Sequence, residues 1–167
     1  GGKNAAALRI LTALRKADLP KHINVASRLG EIRAGSQNVN ELMNSYLQDQ
    51  DPALFRIGLE LAQHLTDAET TVQLLKQLEA MPPTRQVLLM YVLGNRGDVL
   101  ALPLAIKATD SNDARMKVAA LQVLGTLGDG SAVPTLLKAA TSNDKALTVI
   151  ASDSLAERKG DDVDTQL

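Results

Sequence analysis

The 167-residue chain contains no cysteine and no tryptophan. Disulfide scaffolds, thiolate metal sites and cysteine nucleophiles are therefore excluded. Three aromatic residues, Tyr46, Phe55 and Tyr91, are too few for a base-stacking platform or an aromatic sugar cleft. The only histidines, His22 and His64, stand far apart in the chain with no second ligand at metal spacing. Neither sign of charge dominates: 18 Lys+Arg against 19 Asp+Glu leave a net charge of -1. That balance is no global footprint for nucleic acid or an anionic membrane. The longest apolar run, residues 87–93, is seven residues long, against the roughly 20 needed to span a bilayer. Gly1-Gly2-Lys3-Asn4 has no apolar core of a signal peptide. What remains, 45% apolar and 22% charged residues, is the composition of a folded chain with a sizeable core.

The dominant positive feature is self-similarity. Residues 86–113 and 117–144 align without a gap at an offset of 31, with 13 identities in 28 positions. The matches include Val92/Val123, Gly94/Gly125, Gly97/Gly128, Asp98/Asp129, Pro103/Pro134, Lys107/Lys138 and a shared Ser-Asn-Asp ending. The period continues more weakly through Asp67 and Lys76, and Asp51 lies two periods before Asp113. Gly160-Asp161 answers Gly128-Asp129 at an offset of 32. A fixed period of this length is the signature of a repeat architecture.

One unit reads as two helices. Met116, Ala119, Ala120, Val123, Leu124 and Leu127 fall on one face of the first. Gly128 is expected to stop it in a left-handed C-terminal conformation. Asp129 or Ser131 caps the second helix, which carries Pro134 in its first turn and Val133, Leu136, Leu137 and Ala140 on its apolar face. The same logic predicts helices at about 4–17, 21–33, 38–49, 52–65, 68–80, 83–95, 99–109, 114–127, 132–141 and 145–158, with a fragment near 162–167. No segment alternates as a strand. Two-helix units cannot bury both sides of an apolar face alone, so the expectation is an all-α α-α superhelix of stacked antiparallel pairs spanning 1–167 as one domain. Small residues at Ala119, Ala120, Ala139, Ala140 and Ala151 permit close layers.

These residues resemble a known family. Asp113, Met116, Lys117, Ala120, Leu121, Leu124, Gly125, Leu127, Gly128, Asp129, Ala132, Val133, Pro134, Leu136, Leu137 and Lys138 follow a pattern similar to bacterial HEAT repeats of the phycobilisome-lyase-like type. The likeness is strongest over 82–160, moderate over 51–81 and weakest before 50. Gln86 and Thr148 stand where the neighbouring copy has Lys117, so the Asp/Arg ladder of such repeats is largely missing. Through the segment DPALFRIGLELAQHL (51–65) and the ending GDDVDTQL (160–167), the whole chain more loosely resembles the helical repeat region of large planctomycete-type multidomain proteins. That resemblance implies an accessory domain, a fragment of a longer, exported chain, with other domains of the parent as neighbours. Aligned at offset 32, Leu167 falls inside an incomplete helix, so apolar surface is expected at the last layer.

Candidate residues follow from recurrence. Asp67, Asp98 and Asp129 recur in turns, where capping explains them better than a cation column. Lys76, Lys107 and Lys138 recur on the second helices, and stacking would set them in a row able to meet an acidic partner. Favourable charge near helix C-termini is the simpler role for them. Asp161, Asp162 and Asp164 lack the frame of a calcium loop. The glycines follow helices rather than strands, so they are caps and not phosphate cradles. In the N-terminal segment Lys3, Arg9, Arg15, Lys16, Lys21, Arg28 and Arg33 outnumber Asp18 and Glu31.

The function expected is a non-catalytic protein–protein interaction scaffold, with Lys76, Lys107 and Lys138 as candidate partner-binding residues. No catalytic, cofactor or metal residue is assigned, since no nucleophile, base and oxyanion donors converge. The alternatives are a nucleic-acid-binding HEAT-like module using the basic N-terminal helices, and a lyase-like enzyme by analogy with the phycobilisome repeats.

Overall fold

The computed structural model describes residues 2–17, 19–35, 39–65 and 67–163, and their side chains except at 15, 21, 22, 24, 25, 33 and 157–163. Among the described residues the chain is all-α, 82% helical, without strands. Ten helices follow in order: α1 (Gly2–Lys16), α2 (Lys21–Arg33), α3 (Val39–Gln48), α4 (Pro52–His64), α5 (Ala68–Ala80), α6 (Pro83–Asn95), α7 (Leu102–Ala108), α8 (Ala114–Leu127), α9 (Val133–Ala140) and α10 (Lys145–Val163). No described helix is long and apolar enough to cross a membrane. Contacts group the chain into two compact units, Gly1–Leu61 and Ala62–Leu167.

In the first unit α1 packs on α2. Thr12 Oγ1 donates to the buried Glu31 Oε1 at 2.8 Å, which satisfies a carboxylate otherwise costly to bury. Met43, Tyr46 and Leu47 of α3 are buried. α4 approaches α3 at Gly58, where a Cβ would lie 2.9 Å from the Leu47 nitrogen. Asp51 caps α4 by accepting from the Ala53 N–H at 2.9 Å, with Pro52 next in line.

In the second unit α8 packs against α6 on one side and α10 on the other. Met116, Ala119, Ala120, Val123 and Leu124 supply its inward stripe and are all buried, with Leu127 half-buried. Truncating a buried leucine such as Leu124 to alanine would cost about 2–5 kcal/mol. α5 packs on α6, α7 on α8 and α9 on α10. These three pairings of consecutive helices are made across the Met-Pro-Pro and Ser-Asn-Asp connections. Ala151 is fully buried, as are Ala119 and Ala120, whereas Ala139 and Ala140 are half-buried.

Four local expectations need correction. Gly128 is extended (φ -60, ψ 137), not left-handed. Its counterpart Gly97 is left-handed, with φ 73. A second correction concerns the starts of α7 and α9. Each is preceded by a 3-10 turn, Val99–Ala101 and Gly130–Ala132. Ala132 in the turn and Leu136 in α9 are fully buried while Leu137 is 51% exposed, the third departure. Fourth, no break occurs at Gly160-Asp161: α10 runs unbroken to Val163. Residues 164–167 lie outside the described part.

Candidate functional site

The recurrent aspartates are caps. Asp67 accepts from the Thr70 N–H at 2.8 Å and from the Thr70 hydroxyl at 2.7 Å. Asp98 accepts from Leu100 N–H at 3.0 Å, and Asp129 from Ser131 N–H at 2.8 Å. Asp113 and Asp144 start α8 and α10 in the same way. These bonds fill orphan donors at helix N-termini. The Thr70 hydroxyl and N–H hold the Asp67 carboxyl below the usual range. Arg115, bonded at 2.8 Å, does the same for Asp113. Among the described residues no group of three acidic or histidine side chains could hold a metal. Asp161 and Asp162 have undescribed side chains and Asp164 lies outside the described residues, as does the side chain of His22. His64 is exposed in the last turn of α4.

Arg96, just past α6, is a polar centre that repeat matching does not single out. Its guanidinium donates to the carbonyls of Ala62 and Leu65, orphan acceptors at the end of α4. It also donates to Thr71 Oγ1 at 2.6 Å, and the Thr71 hydroxyl passes its own proton toward Asp98 Oδ2. Burial pushes the Arg96 pKa down, against the opposing pull of Asp98 and Asp67. The signal is present in the sequence: the aligned positions hold Leu65 and Leu127, so Arg96 is a charged residue at an apolar place in the unit.

Lys76, Lys107 and Lys138 lie on α5, α7 and α9, and all three are exposed. Lys107 and Lys138 occupy the last turns of their helices, where a cation suits the dipole, while Lys76 sits one turn earlier. One turn before each lysine is an exposed apolar residue: Val72, Pro103 and Pro134. Lys138 pairs with Asp110 at 3.2 Å, both largely exposed, which is worth at most about 1 kcal/mol. Among the described residues Lys76 and Lys107 have no carboxylate at ion-pair distance.

A separate hollow of about 370 Å³ opens between α6, α8 and α10. Gly94, Gly125 and Val123 line it together with Tyr91, Asn95, Gln122, Thr126 and Asp153. Tyr91, Gln122 and Asp153 follow one another at the offset of 31, as do Asn95 and Thr126. Identity matching passes over this column because its members differ. Positions at the offset of 31 that are all polar are the signal that reveals it.

In the basic N-terminal segment Lys3, Arg9 and Lys16 are exposed, whereas the Arg28 guanidinium lies 5.0 Å from the centre of the Tyr46 ring. The side chains of Arg15, Lys21 and Arg33, and Asp18 as a whole, are outside the described set.

Comparison with known protein families gives no match, and comparison with curated proteins gives none either. The fold itself, helices packed against their neighbours, is compatible with a helical repeat.

Proposed function

We propose that the chain is a HEAT-like α-solenoid of helical pairs repeating at the offset of 31, and that it serves as a non-catalytic scaffold for a protein partner. Sequence identity at that offset supports the repeat. So does the recurrence of one close contact: Gly94 meets Val123, and their equivalents one unit further on, Gly125 and Ser154, meet in the same way. The observation that carries the binding role is that Val72/Lys76, Pro103/Lys107 and Pro134/Lys138 are all exposed; stacked units would set them in a ladder. Each rung pairs an apolar pad with a cation one helical turn away. A partner with acidic side chains between apolar ones is complementary to such a ladder.

The test replaces Lys76, Lys107 and Lys138 by glutamate together. All three are exposed, so the fold should survive, as a circular-dichroism melt will show. Quantitative capture from the native source should lose the proteins bound by the unmodified chain. An unchanged set of bound proteins would remove the lysine ladder as the binding surface.

A further inference from the structure

The hollow between α6, α8 and α10 lies on different helices from the lysine ladder and carries the opposite chemistry. Among the described residues Asp153 is the one charged side chain that lines it. Tyr91, Asn95, Gln122 and Asp153 have no side-chain hydrogen bond among the described residues. Their donors and acceptors are therefore open to a ligand seated in the hollow. Gly94 and Gly125 also line the hollow and add no side chain to it. A Cβ at either would fall within 2.7 Å of a Val123 or Ser154 side-chain atom, so neither position readily takes a larger residue.

We propose that this hollow binds a guanidinium group, presented as an arginine side chain of an extended partner peptide. A guanidinium carries five N–H donors in a planar fork and no acceptor. Its best surface partner is a carboxylate that takes two parallel N–H bonds, which Asp153 offers. The side-chain oxygens of Asn95 and Gln122 can accept further N–H donors, and the Tyr91 ring offers a π face to a cation. The carboxamide NH2 groups then remain for carbonyls of the peptide backbone. A lysine ammonium lacks the fork and the plane, so it is the weaker occupant. At about 370 Å³ the hollow lies near the lower end of ligand-site sizes, suited to one side chain with its peptide unit.

The test is a titration of the isotope-labelled protein with the blocked peptide acetyl-Gly-Gly-Arg-Gly-Gly-amide, followed by two-dimensional amide NMR. The expected result is saturable shifts of the Gly94 and Gly125 amides and of the Asn95 and Gln122 side-chain amides. The lysine version of the peptide should bind several-fold more weakly, and the norleucine version should give no saturable shift. Agmatine, a free guanidino compound, should also bind more weakly than the arginine peptide. Binding of agmatine equal to the peptide would overturn the peptide source. Asp153→Asn should weaken binding about tenfold and Tyr91→Leu several-fold, each with the melting curve of the unmodified protein. Asp153 is exposed, so its replacement should not disturb the fold. Equal shifts with the norleucine peptide, no saturation, or an unchanged midpoint in Asp153→Asn would sink the proposal. The Lys76, Lys107 and Lys138 glutamate variant should keep this binding, which separates the result from the scaffold reading.

Discussion

Gly94 on α6 sits so close to Val123 on α8 that a Cβ built on it would lie 2.7 Å from Val123 Cγ2. Glycine inside a helix costs about 1 kcal/mol relative to alanine. The close approach explains why the cost is accepted here. Gly94→Ala should regain that propensity but overpack the contact by about 1–3 kcal/mol. Gly125→Ala should fare worse, because its Cβ would meet Ser154 Oγ and, at 2.9 Å, Ser154 Cβ, which no side-chain rotation can move. Thermal melts of both variants should shift down by a few degrees. A rise in either melting temperature would show that the helices are not in this contact.

Gly97 poses a different question, of backbone rather than space. Its φ is 73 and nothing lies within 4 Å of a Cβ placed there. Alanine should therefore be destabilising by about 1–2 kcal/mol through the left-handed conformation alone. Gly130→Ala is the control, equally open and without a positive φ. Denaturant unfolding should leave it within about 0.5 kcal/mol of the parent. Equal stability of the two variants would contradict the assigned backbone.

Arg96 ties the end of α4 to Thr71 and, through that hydroxyl, to Asp98. Hydrogen bonds to a charged group contribute about 1.5–3 kcal/mol each. Arg96→Ala should lower stability by at least the value of one such bond. Arg96→Lys should rescue little, because a single ammonium cannot reach carbonyls and hydroxyl together. Full rescue by lysine in chemical denaturation would argue that charge, not the fork, matters.

Asp67 has its pKa lowered in the folded chain, chiefly by the Thr70 hydroxyl and N–H. A depressed folded pKa means that stability is present above the unfolded value and is lost as pH falls through the folded one. Asp67→Asn keeps a capping oxygen but cannot titrate. The parent should be the more stable at neutral pH, with the gap narrowing as pH drops through the carboxylate range. Melts at a series of pH values would measure this, and a gap independent of pH would refute it.

Helix positions are largely legible in the sequence because stop and start chemistry recurs: Asp51-Pro52, Asp98 and Asp113 announce helices that the structure places within a few residues. The exposure of Leu137 is not legible, because its spacing from Val133, Leu136 and Ala140 fits one apolar face, and periodicity does not say how much of that face the neighbouring helices cover. Nor is the backbone of Gly128, because identical residues, Gly97 and Gly128, adopt different conformations after Arg96 and after Leu127. The candidate site is less legible for a simpler reason. Lys76, Lys107 and Lys138 are identical and therefore conspicuous, while Tyr91, Gln122 and Asp153 share only polarity and become a group when three helices are set side by side.

The proposed stacking of α6, α8 and α10 is tested most directly by two double-mutant cycles, one pairing Gly94→Ala with Val123→Ala and the other Gly125→Ala with Ser154→Gly. Contacting residues show coupling of about 0.5–3 kcal/mol. Removing the obstructing atoms should relieve each alanine, so both cycles should couple with the same sign. A mixed pairing of Gly94→Ala with Ser154→Gly should be additive. Additivity within about 0.5 kcal/mol in either of the first two cycles would contradict the repeated contact and the stacked architecture built on it.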